Sequence, residues 1–425
     1  MTKLIKNFFK KFSSSQLMRG SIVLFIGTMI GNFGSYLYHL LMGRMLGPEE
    51  YGVISSIISI LYFLSIPTTV FTLAISKFTS AYLGKKETGK ISSSFLWLFK
   101  KSFLFSLIIF IFFVLISPFL AKFLNLDSMA SLMAVSGAVF LSFPVSVNRG
   151  FLQGLMNFSW LAFVSGTETI LKLFLAVLLV LAGLKSFGAV LAYSISSFLN
   201  LIITTIPFKN YFSVVDKKEK FVDFGKMVGF SLPVLIANIS FISLYSLDII
   251  LVKHFFSSYQ AGIYSSASIL GKIIFWFSSP VVTAVFPILS KRQAEKRNFF
   301  GILLSSIFFI SFASFCLVLV YKFFPELMIN LLFGEKYFGA KALLVPFAIF
   351  IFFHTLANAL VNAYLSLSLT KPVILASIAA IFQGILISVF HNDMFQVILI
   401  SQLVCGILFA SLLIFLPTVY ALQKK

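Results

Sequence analysis

Apolar residues fill this chain in blocks of helical spanning length, broken by short polar segments. Crossing roughly 30 Å of hydrocarbon takes about 20 helical residues. Twelve blocks meet that length, approximately Gly20 to Gly43, Val53 to Ser76, Ser102 to Ala121, Met129 to Val147, Trp160 to Gly183, Phe187 to Ile206, Met227 to Val252, Ala261 to Ile288, Phe299 to Tyr321, Ala342 to Leu367, Pro372 to Phe390 and Phe395 to Tyr420. The pattern predicts an all-α polytopic membrane protein.

Composition narrows the class further. The 425 residues are 59% hydrophobic and 11% charged, whereas a soluble globular chain carries charge on about a quarter of its residues. A soluble fold is excluded. Cys316 and Cys405 fall in separate apolar runs, which argues against a disulfide framework or a paired-cysteine metal site. They read as small core residues, and no metal or other cofactor is expected.

The net charge of +20 raises nucleic acid as a partner, but the distribution of the charge answers otherwise. With both termini in the cytoplasm and loops assigned alternately, 24 of the 33 Lys and Arg lie inside, 7 lie outside and 2 fall within spans. The acids show no such bias. The excess comes from Lys3, Lys6, Lys10, Lys11 and Arg19, then the segments 77–101, 209–226 and 291–297, as the positive-inside rule requires. The charge reports topology, a multi-pass protein of the cytoplasmic membrane, and no nucleic-acid partner is expected.

Loops are short. Residues 1–19 are basic; Leu4, Ile5, Phe8, Phe9 and Phe12 alternate with lysines at helical spacing, which suits either an amphipathic helix on the membrane surface or a basic tail serving topology. No small-residue cleavage site follows, so the first span reads as uncleaved. Segments of about 20 to 25 residues cannot bury a core of their own, so function must live between helices. The expected organisation is an N-lobe over 20–206, a cytoplasmic linker over 207–226, a C-lobe over 227–420 and a cytoplasmic tail over 421–425.

The lobes are internally related. Tyr51-Gly52-Val53-Ile54-Ser55-Ser56 parallels Ala261-Gly262-Ile263-Tyr264-Ser265-Ser266, Pro67 with Ser76-Lys77 parallels Pro280 with Ser290-Lys291, and Val147-Asn148 parallels Val361-Asn362. In order and at corresponding spans, these matches suggest a duplicated six-helix unit, with a pseudo-two-fold along the membrane normal and a substrate site at the interface.

Ionisable groups within spans are costly and therefore functional candidates. Glu168 and Lys172 are four apart in the fifth span, in the favourable order for a helix pair; they either neutralise each other or face a wet cavity where Lys172 meets an anion. Lys272 shares a face with Ser265, Ser268 and Ser279 in the eighth span, a stripe that lines a cavity or forms a helix seam. Asp248 lies late in the seventh span near Lys253, as an outer salt bridge or an ion-coupling group. Asn32, Tyr36 and His39 in the first span, and His354, Asn358 and Asn362 in the tenth, suit interhelical hydrogen bonds or cavity lining, with His354 a candidate proton group beside Asp248 and Glu168. Gly27 and Gly31 suit close packing or a pivot. Arg19 and Arg149 end spans on the cytoplasmic side, for topology and lipid phosphate or for recognition of a substrate phosphate at entry. No catalytic constellation is present, so an enzyme is not expected.

Three segments carry a resemblance: Gly43-Arg44-Met45-Leu46-Gly47-Pro48-Glu49-Glu50-Tyr51-Gly52; Arg149-Gly150-Phe151-Leu152-Gln153-Gly154 followed by Glu168 and Lys172; and Ser231-Leu232-Pro233 leading to Asp248-Ile249-Ile250-Leu251 and Ala261-Gly262-Ile263-Tyr264. In these the chain resembles the O-antigen and oligosaccharide flippases of polysaccharide biosynthesis, within the multidrug/oligosaccharidyl-lipid/polysaccharide exporter superfamily. The resemblance implies two MATE-like six-helix lobes, alternating access, and a polyprenyl-diphosphate-linked oligosaccharide as cargo, with a proton or sodium ion as coupling ion and glycan polymerase and glycosyltransferases as partners. A cation-coupled multidrug exporter of the same superfamily and a non-transporting scaffold are the alternatives. Lys172 and Lys272, one from each lobe, would neutralise the diphosphate in one shared chamber.

Overall fold

A computed structural model describes residues 16–212, 224–294, 298–367, 369, 371–417 and 419–420. The basic stretch with Leu4, Ile5, Phe8, Phe9 and Phe12, the middle of the predicted linker and the 421–425 tail lie outside the described residues. The chain is all-helical over what is described: α1 (Gln16–Gly84), α2 (Thr88–Phe123), α3 (Ala130–Gly154), α4 (Phe158–Leu179), α5 (Lys185–Thr205), α6 (Phe224–Phe255), α7 (Ser258–Ala294), α8 (Phe300–Phe323), the short α9 (Pro325–Leu332), α10 (Lys341–Ser366), α11 (Lys371–Val389) and α12 (Met394–Leu413). Nine helical segments among the described residues are long and apolar enough to cross a membrane. Hydrocarbon leaves backbone groups no outside partner, and a helix satisfies them within itself.

Two of these segments are bent by glycines with positive φ. Gly47 (φ 78°, ψ 176°) breaks α1, and Pro48 follows it, at a position where a missing N–H costs nothing. Gly183 (φ 87°) lies within the π-helical turn Val180–Leu184 between α4 and α5. Elsewhere side chains set helix starts: Asn157 Oδ1 accepts from the Trp160 N–H at 3.2 Å, opening α4, and Asp393 Oδ1 accepts from the Gln396 N–H at 2.7 Å, opening α12. Each cap satisfies one orphan donor.

Contacts divide the chain into two compact units. The first comprises α1 up to His39, Leu64–Lys122 and Leu126–Leu235; the second comprises Leu40–Phe63, Phe123–Asn125 and Ile236 onward. In the first unit α3 packs along α5, and α5 along α4. Asn148 Nδ2 donates to Thr204 Oγ1 (3.0 Å) and Thr205 Oγ1 (2.9 Å), tying α3 to α5. A Cβ on Gly27 would strike Ala162 on α4, so this glycine serves close packing. In the second unit α10 packs against α7, α12 and α8. Polarity is inverted relative to a soluble protein: Leu115, Phe308 and Ile407 are exposed while Asp248, Lys272, Asn148 and many serines are buried, as lipid on the outside demands.

Candidate functional site

In the first unit, three residues of the predicted set gather around α4. Arg149 Nη2 on α3 donates to Glu168 Oε2 on α4 in a close ion pair, both side chains half-buried. The acid's direct partner is therefore an arginine on the neighbouring helix. Lys172, four residues along α4, faces aromatic rings instead: its Nζ stands 4.7 Å from the Tyr193 ring centroid and 5.5 Å from that of Tyr38. The two rings meet edge-on at 5.4 Å, and Tyr38 Oη donates to the Ala189 carbonyl at 3.0 Å, which fixes the cage. Ring faces stabilise an ammonium by about 0.5–2 kcal/mol, more as water leaves. Lys172 makes no ion pair or hydrogen bond among the described residues.

The second unit repeats the device with different neighbours. Lys272 on α7 is 1% exposed, with its Nζ 4.0 Å from the Tyr245 ring centroid. Asp248 on α6 is fully buried, accepts a hydrogen bond from Tyr264 Oη at 2.7 Å, and lies close enough to Lys272 for each charge to act on the other. His354 on α10 packs beside the same Tyr245 (5.7 Å between centroids), with Nε2 3.3 Å from the Phe241 carbonyl. Asp248, Lys272 and His354 therefore form one cluster joined by Tyr245. Lys253, expected near Asp248, turns away to donate to the carbonyls of Leu124 (2.5 Å) and Asn125 (3.1 Å), where it caps the end of α2.

The serine stripe of α7 meets protein. Ser265 Oγ lies 2.6 Å from Ser55 Oγ of α1, a seam between helices. Hydroxyls surrounded by hydrocarbon gain from a partner helix. Ser268 is also fully buried, and its hydroxyl has no partner among the described residues. Asn362 Nδ2 donates to the Asn358 carbonyl (2.9 Å) and Oδ1 (3.0 Å) within α10, so this pair is satisfied locally. Asn32 and Tyr36 are half-buried on α1. His39 is buried, its ring 5.7 Å from that of Tyr38. The side chain of Arg19 lies outside the described set.

The segment 43–52 is a clasp within the second unit. Arg44 Nη2 donates to the carbonyls of Asn330 (2.8 Å) and Leu331 (2.7 Å) at the end of α9, Tyr337 Oη donates to the Gly43 carbonyl at 2.8 Å, and Tyr51 packs against Phe333 and Tyr337. A Cβ on Gly52 would fall on the Ser258 carbonyl oxygen, and one on Gly262 on the Pro48 carbonyl oxygen. The tyrosines Tyr38, Tyr193, Tyr245 and Tyr264 are the site residues that the sequence reading missed; the available signal is a tyrosine placed inside an otherwise apolar span.

The family model described as polysaccharide biosynthesis protein matches residues 41–342. The uncharacterized membrane protein MJ1375 of Methanocaldococcus jannaschii is 25% identical over 328 residues, 73% of this chain and 75% of that protein. Among solved structures, a lipid II flippase, MurJ, in an inward closed conformation superposes with a TM-score of 0.71 at 17% identity, over 93% of this chain and 87% of that one. An inward-facing multidrug resistance MATE family transporter of the MOP superfamily superposes with a TM-score of 0.65 at 14% identity, over 92% and 95%. These likenesses establish a MATE-like fold.

Proposed function

Because this chain belongs to the polysaccharide biosynthesis protein family, we propose that it moves a polyprenyl-diphosphate-linked oligosaccharide across the cytoplasmic membrane by alternating exposure of its binding groups. The observation that carries this reading is the pair of intramembrane ammonium groups, one in each unit, held over tyrosine rings; among the described residues neither makes a direct ion pair, although Asp248 lies within electrostatic reach of Lys272. A cation kept in low dielectric without a direct counter-ion attracts an anion strongly, and a diphosphate is the anionic part of such a cargo. Tyrosine faces hold each ammonium in place yet leave its N–H donors for a phosphate oxygen.

Glu168 is engaged by Arg149, and in this reading it tunes the field at Lys172. Asp248 and His354, beside Lys272, are the groups through which a proton or sodium ion would couple. Arg149 and Arg19 would offer entry contacts to phosphate, and Asn32, Tyr36, His39, Asn358 and Asn362 would hydrogen-bond sugar hydroxyls.

Reconstitution tests this. Purified protein in vesicles is given a fluorescent polyprenyl-diphosphate oligosaccharide, and leaflet exchange is followed by quenching from outside. Wild-type protein exchanges the lipid, and Lys172→Ala and Lys272→Ala each abolish exchange while remaining in the membrane. Exchange at the wild-type rate in both variants removes the lysines from the mechanism. Drug-driven proton movement without lipid exchange would make the protein a multidrug exporter, and neither activity would leave a scaffold.

A further inference from the structure

On the first unit, with neither Lys172 nor its tyrosines in the lining, a cavity of about 440 Å³ opens between α1, α2, α3 and the first turns of α6. Its lining is apolar apart from the adjacent Lys101 and Ser102 and the indole of Trp97. Along α2, Trp97, Lys101, Phe105 and Ile108 line it at helical spacing, so they share one face and extend over about 16 Å at 1.5 Å per residue. From Lys101 to Ile108 the stretch is about 10 Å, within the roughly 15 Å depth of one leaflet. Phe105 and Ile108 are each about half exposed, and Leu232 and Leu235 of α6 form another wall. Lys101 is exposed and makes no ion pair among the described residues.

We infer that this groove is a binding site for one anionic phospholipid, with an acyl chain along Phe105 and Ile108 and its phosphate on Lys101. The apolar walls alone give no selectivity, since lipid tails are as apolar as the groove. The cation supplies it: a lysine at the headgroup level is worth about fivefold in occupancy toward anionic lipid. An indole four residues before it suits the same interfacial depth. The cavity lies near the small end of ligand pockets, roughly 300–1,000 Å³, which fits the upper part of one acyl chain and not a long polyprenyl chain. Because its walls come from α1, α2, α3 and the start of α6, the occupant fastens the start of α6, just before that helix passes into the second unit at Ile236.

The chain has three tryptophans, so the full-length Trp160→Phe/Trp276→Phe variant leaves Trp97 as reporter. It is reconstituted in phosphatidylcholine containing a small fraction of phosphatidylglycerol brominated on its acyl chains, or of equally brominated phosphatidylcholine. The brominated anionic lipid should quench Trp97 about fivefold beyond its mole fraction, and Lys101→Gln should return quenching to mole fraction. In parallel, wild-type protein purified from mixed vesicles should retain phosphatidylglycerol by mass spectrometry, and the Lys101→Gln protein should not; this arm needs no tryptophan variant. Quenching without headgroup preference would reduce the groove to ordinary annular contact and overturn the inference. So would millimolar inorganic phosphate erasing the preference, or polyprenyl phosphate displacing the brominated lipid at a lower mole fraction.

Discussion

Ser55 and Ser265 stand 210 positions apart in sequence and 2.6 Å apart in space, Oγ to Oγ. Around them the contact is reciprocal. Gly52 lies against Ser258, and Gly262, its counterpart 210 positions on, lies against Pro48, the counterpart of Ser258. The shared Gly-x-x-Ser spacing has a physical purpose: glycine lets the backbones touch, and serine satisfies its hydroxyl on its own counterpart.

The proposed alternation requires a closed seam to open, and the Ser55–Ser265 contact tests whether this one does. In a background lacking Cys316 and Cys405, Ser55→Cys/Ser265→Cys should form a disulfide on mild oxidation, since the side chains already converge at bonding range. Oxidised protein should lose at least tenfold in lipid exchange, and reductant should restore it. Full exchange with complete cross-linking, scored by protection from maleimide, would show that the seam stays shut throughout the cycle.

The clasp at 43–52 makes a stability prediction. Gly47 adopts φ 78°, ψ 176°, a region nearly reserved for glycine, so Gly47→Ala should cost about 1–3 kcal/mol. Arg44→Ala removes charge-assisted hydrogen bonds to two carbonyls, each worth about 1.5–3 kcal/mol. Both should lower the unfolding midpoint in detergent. Gly166→Ala, where the added methyl would meet only Ile30 at 3.9 Å, should leave it unchanged.

The apolar spans and segment 43–52 were legible because each is a local property of the chain: run length and a glycine-proline break. Partnerships across helices were not. The four-residue spacing of Glu168 and Lys172 names a pair on one helix, yet the carboxylate is held by Arg149 from α3 and the ammonium lies over two tyrosine rings. Lys253 sits five residues from Asp248, but helix geometry sends it to the end of α2. The tyrosine cages draw one residue from each of several helices, and no linear spacing encodes that.

The cage around Lys172 predicts a graded response. The ring faces of Tyr193 and Tyr38, not their hydroxyls, meet the ammonium. Tyr193→Phe keeps the face and should preserve exchange within about twofold. Tyr193→Leu loses about 0.5–2 kcal/mol of cation–π attraction, which corresponds to a roughly two- to thirtyfold loss in apparent affinity for the lipid-linked sugar. Equal loss in both variants would assign the role to the hydroxyl instead.

Asp248 and Lys272 permit a separation of structural from functional charge. Removing one member of a buried pair leaves an uncompensated charge and costs about 3–5 kcal/mol, whereas replacing both is often neutral. Lys272→Met and Asp248→Asn should each lower the unfolding midpoint in detergent, with Asp248→Asn milder because Tyr264 can still donate to the amide oxygen. The double variant should recover most of the wild-type midpoint. If the ammonium serves only to neutralise Asp248, lipid exchange returns together with stability. If it meets the cargo, the double variant is stable and silent, because methionine fills the volume over Tyr245 but offers a diphosphate nothing. The proposed function requires the second result, and recovery of exchange alongside the midpoint would reject the role of Lys272 in it.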